Sequence, residues 1–217
     1  MNIELLGARG SGKTTLAESL SKEFQLDYVS LGKITRSEIA KQSDIGKEME
    51  YVVENRLPYP PGFLVDVIYS NLSSSIESGG FILDGYPRRK TEAEELINIL
   101  TRLQTKLDYI IDLDTPLELI KQRVEVRFIC SHCDYQGPGG ESEICPRCNL
   151  LLTKRLDDSS KDIETAYNLY MVEKEKIIDI LKAVTVAELL IIDGSQPLEF
   201  VIAGTIGLIK DESRNTD

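Results

Sequence analysis

Apolar residues fall in short, nearly unbroken runs at five places: IELLG (3–7), DYVSL (27–31), GFILD (80–84), DYIIDLD (108–114) and LLIIDG (189–194). Such runs predict strands covered on both faces, as in a parallel sheet whose crossover connections are helices. The stretches between them carry helical spacing. Leu16, Leu20 and Phe24 recur every four residues, and Phe63, Leu64, Val67, Ile68, Leu72 and Ile76 form one stripe suited to core packing. Thr91 with Glu94 and Thr115 with Glu118 have capping-box spacing, and Pro116 stands where a first helical residue tolerates proline. The alternation predicts an α/β fold.

Two stretches break the pattern. Residues 33–60, with helical patterns around 34–41 and 49–53, are too long for a simple connection and predict a small helical insertion. Residues 128–154 are rich in Gly, Pro and Cys and hold all four cysteines, as CSHC (130–133) and CPRC (145–148). Paired thiolates on tight knuckles suit a tetrahedral Zn²⁺, and a segment this short has no core of its own to fold it. Two disulfides or a redox CxxC are the competing readings. A cytoplasmic protein disfavours the first, and redox chemistry needs no second matched pair. Cys130, Cys133, Cys145 and Cys148 would fill the coordination shell, so the metal folds the segment and takes no part in chemistry. Iron is an alternative occupant.

Between the first strand and first helix, residues 7–14 read GARGSGKT, a GxxxxGKT phosphate-binding loop in its required strand–loop–helix context. Glycines let successive backbone N–H groups curl around an anion, the helix presents its positive end, and Lys13 adds a mobile charge. Thr14 or Thr15 can offer a hydroxyl to Mg²⁺. The formal charge of −11 argues against non-specific nucleic-acid binding, which needs excess Lys and Arg. No apolar run approaches the roughly 18 residues of a membrane span. The chain reads as a cytoplasmic monomer with a nucleoside triphosphate site.

With the loop and the cysteine pairs, DGYPR (84–88), QRVEVR (122–127), KRLDD (154–158) and IDGSQP (192–197) occur in an order and spacing that resemble the adenylate kinase family in its long, zinc-bearing form. The resemblance covers essentially the whole chain. It implies a five-stranded parallel core (1–30, 61–123 and 161–217), a monophosphate-binding insertion (31–60) and a lid (124–160) that closes over ATP. It implies phosphoryl transfer from Mg·ATP to a nucleoside monophosphate, with Lys13, Arg88, Arg123 and Arg155 catalytic. By position, Gly10, Ser11, Gly12, Lys13, Thr14, Thr15, Arg123, Arg127 and Gln196 would meet ATP. Leu31, Arg36, Tyr59, Gly85, Arg88, Glu92 and Arg155 would meet the monophosphate, and Asp84 would hold Mg²⁺ through water, together with Thr14 or Thr15.

The chain departs from the family at three places. Leu31, Gly32 and Lys33 stand where the family has a TGD turn, Glu92 replaces a glutamine that reads adenine, and Ala166 occupies the place of an arginine. Lys161, five residues earlier, points about 140° away around the helix. An AMP kinase is the leading reading. A kinase of altered base preference, such as GMP, and a nucleotide binder with vestigial catalysis remain beside it. A switch GTPase is disfavoured because no NKxD motif occurs.

Overall fold

The computed structural model describes residues 1–130, 133, 135–138, 144–154 and 158–215. In chain order the elements are β1 (Asn2–Gly7), α1 (Lys13–Phe24), β2 (Asp27–Ser30), α2 (Leu31–Ala40), α3 (Asp44–Glu54), α4 (Val65–Glu77), β3 (Phe81–Asp84) and α5 (Lys90–Arg102). There follow β4 (Tyr109–Asp114), α6 (Leu117–Glu125), β5 (Arg127–Ile129), β6 (Gln136–Pro138), α7 (Ser160–Val184), β7 (Glu188–Asp193) and α8 (Leu198–Asn215). Five strands form one parallel sheet in the order β2-β3-β1-β4-β7, each within a residue or two of its expected run.

The sheet divides the core in two. Phe81, Leu83 and Ile110 pack towards α4, α5 and α7, while Ile82, Tyr109, Ile111 and Leu113 pack towards α1 and α8. Successive residues of one strand thus serve opposite faces, which is why the runs are apolar throughout rather than alternating. Fully buried side chains of this size each contribute about 1.5–3 kcal/mol.

Glu4 departs from the rule without a partner, whereas the buried Asp84 and Asp112 accept from Tyr28 and Tyr170. Glu4, on the central strand, is paired in register with Leu83 and Ile110 and is fully buried, with no hydrogen-bond partner for either carboxylate oxygen. Burial pushes its pKa well above the usual value, and the nearby charge of Asp84 adds to the rise. Both effects favour the neutral acid.

The helical insertion is an α2–α3 hairpin. Ser43 caps α3 by accepting from the Gly46 N–H at 3.0 Å. A side chain at Gly46 would lie 2.1 Å from the Glu38 carbonyl, so only glycine permits this approach of the two helices. The second interrupting segment contains the antiparallel β5–β6 pair, with isolated bridges Ile129–Thr153 and Ile144–Leu151.

Neither expected capping box forms. Helix α6 begins after Pro116, and Thr115 is buried with its hydroxyl towards the Ser11 carbonyl. At the start of α5 the Lys90 N–H donates to Glu173 of α7 at 2.9 Å, Glu92 accepts the Arg88 N–H of the preceding turn at 2.6 Å, and Thr91 is exposed. In both cases a tertiary contact fixes the turn before the helix, and that overrides the local threonine. No helix among the described residues is long and apolar enough to cross a membrane.

Candidate active site

Parallel strands deliver their following loops to one edge of the sheet, where open α/β folds bind ligands. A cavity of about 550 Å³ lies at this edge. It brings together Gly10, Gly12, Lys13, Thr14 and Thr15 of the phosphate loop, Arg36 of α2, and Asp84, Gly85 and Arg88 after β3. Arg123 and Arg127 close it from α6 and β5, and Ala166 and Tyr170 line it from α7.

The phosphate loop is braced from several sides. Lys13 Nζ donates to the carbonyls of Gly7 and Ala8 at 2.7 and 2.8 Å. Burial lowers its pKa to about 8; Asp84 opposes the shift, and the cations Arg88, Arg9 and Arg127 reinforce it. Arg123 donates to the carbonyl of Ser11 at 2.8 Å and of Gly194 at 2.9 Å, tying the loop to the turn after β7. Arg127 forms a two-point ion pair with Asp158, both oxygens within 3.0 Å, across the base of the lid.

Asp84 is buried at the end of β3 and accepts from the Tyr28 hydroxyl at 2.7 Å. Burial and the Asp84 charge both raise the pKa of that phenol, so it stays a donor. Sequence reasoning missed Tyr28, which sits in an apolar run and shows its role only once β2 and β3 are paired. It also left Arg9 unassigned, although Arg9 lines the cavity from inside the motif itself.

The residues expected on the monophosphate side are more dispersed. Arg36, Gly85 and Arg88 reach the main cavity, and Arg88 Nε donates to the Gly85 carbonyl at 2.7 Å. Leu31 is instead buried in the core. Tyr59 and Glu92 line a separate recess of about 160 Å³ with Leu64 and Glu95. Tyr59 stacks on Phe63, ring centres 5.4 Å apart, and its hydroxyl lies 3.2 Å from Thr35 Oγ1. Burial raises the pKa of Glu92, against the opposing contributions of the Arg88 N–H and the Arg88 and Arg89 charges. Gln196 stands outside the cavity lining, donating from Nε2 to Asp193 at 3.2 Å. Ser11 is buried within the loop. Arg155 lies outside the described residues.

In the lid, the four cysteine sulfurs lie within 4.8 Å of one another, with Cys130–Cys148 and Cys133–Cys145 each at 3.4 Å. All four are free thiols, which removes the two-disulfide reading. Four sulfurs about a Zn²⁺ with bonds of about 2.3 Å sit roughly 3.8 Å apart, so the group fits the metal. Arg147, between the last two cysteines, reaches Glu18 Oε2 on α1 at 3.1 Å, and Lys33 of the insertion reaches Glu18 Oε1 at 3.2 Å.

The adenylate kinase family model matches residues 5–186. The chain is similar to an adenylate kinase of Kosmotoga olearia, 32% identical over 93% of this chain and 95% of that one. It is similar to one of Caldicellulosiruptor bescii, 32% identical over 84% and 87%, and to one of Desulforamulus reducens, 30% identical over 97% and 100%.

Proposed function

The chain belongs to the adenylate kinase family, and from that membership we propose that it transfers the γ-phosphoryl group of Mg·ATP to AMP, reversibly, giving two ADP. The observation that carries this reading is the convergence of Lys13, Arg36, Arg88, Arg123 and Arg127 on one cavity beside Asp84. Phosphoryl transfer demands little covalent chemistry from a protein. It needs cations around three phosphates, alignment and exclusion of water.

The residues divide the work. Lys13 swings from the loop carbonyls to the transferring group, Arg123 and Arg127 hold the triphosphate, and Arg36 and Arg88 orient the acceptor. The acceptor phosphate is already an anion, so no side chain must remove a proton to create the nucleophile. Asp84, with Thr14 or Thr15, fits a hydrated Mg²⁺, which when bound neutralises charge between the outer phosphates. Closure of the lid excludes water. The cysteine group holds Zn²⁺ structurally and leaves no position for a substrate.

Glu92 bears on the base. An ionised carboxylate with two free oxygens would grip the adjacent N1–H and N2–H₂ donors of guanine. Here Oε2 already accepts the Arg88 N–H, and burial raises the carboxyl's pKa. With one oxygen engaged, Glu92 cannot give guanine that two-oxygen grip, which favours AMP over GMP. Assaying ADP formation against a panel of nucleoside monophosphates tests the reading. Turnover fastest with AMP is expected; turnover fastest with GMP would reverse the base assignment, and none with any monophosphate would leave a nucleotide binder.

A further inference from the structure

The cavity is charged unevenly. Its cations come from the phosphate loop, α2, the turn after β3, and the junction of α6 with the lid. The α7 wall contributes only Ala166, Leu169 and Tyr170, and the Tyr170 hydroxyl is bonded to Asp112. Two of the arginines have their planar donor forks committed, Arg123 to backbone carbonyls and Arg127 to Asp158.

Arg9 lies at the crest of the phosphate loop and both its neighbours are clamped. Ala8 is buried in a cluster with Ile120 and Val124 of α6. Gly10 lies so close to the same helix that a Cβ there would stand 2.7 Å from Val124 and 2.9 Å from Ile120. With residues 8 and 10 pinned, the Cα of Arg9 has little freedom, and its half-buried side chain lines the cavity. Its positive charge reaches the Lys13 ammonium, as do those of Arg88 and Arg127. A loop arginine with both flanks packed is pre-organised, which is what a cation serving a transition state requires.

We propose that Arg9 is a catalytic residue, contacting the oxygens of the phosphoryl group in transfer and supplying the charge that the α7 wall at Ala166 lacks. The inference rests on the phosphoryl-transfer reading above. Neither bond making nor bond breaking involves Arg9 covalently. Its guanidinium stabilises charge on the equatorial oxygens while the acceptor oxygen forms the new P–O bond and ADP leaves.

The test uses the full chain with saturating Mg·ATP and AMP. Arg9→Ala should lower kcat by about 10²–10³-fold, in the range of losses for a single transition-state donor or arginine. KM for either substrate should change less than threefold, and the melting temperature should hold. Arg9→Lys should return part of the rate, because a point charge replaces a fork. Adding Ala166→Arg to the Arg9→Ala protein should raise kcat at least tenfold by restoring a guanidinium from the opposite wall. A merely structural loop role would not be rescued from α7. Arg9→Ala with kcat within threefold of wild type overturns the assignment, as does a loss that neither the lysine nor Ala166→Arg recovers. Absence of wild-type turnover with every monophosphate overturns the phosphoryl-transfer reading itself, and the Arg9 assignment with it.

Discussion

The proposed triphosphate and monophosphate ends of the cavity are held differently. At the triphosphate end, Lys13, Arg123 and Arg127 are fixed by backbone carbonyls and a buried ion pair, and the loop beneath them is packed on α6. At the monophosphate end, Arg36 and Arg88 reach the cavity, but the residues expected around the base are buried in the core or line a separate recess. Phosphate is the same in every nucleotide, whereas the base differs. A site can therefore keep its charges in place while the side chains around the base vary, and in this chain the departures at Leu31 and Glu92 belong to the acceptor end.

The largest expected effect would break the triphosphate end. Lys13→Ala should lower kcat by about 10³-fold with an unchanged circular dichroism spectrum, since its charge acts on the phosphates. In wild type the ammonium has a depressed pKa of about 8. The unfolded chain holds that proton up to the ordinary lysine range near 10.5, so the free protein should gain stability as pH rises from 8 to 10.5. Anionic phosphates favour the charged form, and calorimetry near pH 8 in two buffers should detect proton uptake on binding Mg·ATP. Lys13→Ala should abolish both signals.

Arg88→Ala should act on the other end, costing about 10²-fold in kcat/KM with much of it in KM for the monophosphate. An equal rise in KM for ATP would erase the distinction between the ends. For the lid, metal analysis should find about one equivalent per chain. Chelation should loosen the lid and raise KM for ATP, while the core unfolds at its former temperature. Protein with no metal and four freely titrating thiols would remove the site.

Glu4 lies beneath both ends and serves as the control. Glu4→Leu removes an unpartnered buried carboxyl and should stabilise the fold by about 1–3 kcal/mol without selective change in either KM. A pKa raised on folding means the native state holds the extra proton, so wild-type stability falls as pH rises above the ordinary carboxylate value of 4.5. Glu4→Leu should flatten that slope in denaturant titrations; an unchanged slope would mean the carboxyl is solvated. The smallest effect concerns the base. Glu92→Gln should raise the kcat/KM preference for AMP over GMP about tenfold, near 1.4 kcal/mol. The wild-type preference should fall with rising pH as Glu92 ionises, and the variant's should not. An unchanged ratio at all pH values would show that Glu92 serves only to hold the turn before α5.

Much of this was legible in the residues alone. The five strands announce themselves because both faces are covered, and the loop and cysteine knuckles because their spacing is set by an anion and a metal. What stayed hidden depends on contacts that neither period nor motif encodes. The first N–H of α5, at Lys90, is taken by Glu173 of α7. Tyr28 meets Asp84 only through strand pairing, and Glu4 sits within an apolar run where pattern alone gives no warning that its oxygens lack partners. Gln196 is drawn to Asp193, three residues away, which no motif encodes.

The carboxylate of Glu18 takes Arg147 of the lid on one oxygen and Lys33 of the insertion on the other. Both pairs are partly exposed, and such pairs are worth at most about 1 kcal/mol. That is a population ratio of only about five. A latch this weak suits the proposed reversible transfer, because products must leave as readily as substrates enter in either direction. It is also sensitive to ionic strength: with a screening length of about 8 Å at physiological salt, added electrolyte weakens the Glu18 pairs before it disturbs the more buried Arg127–Asp158 pair.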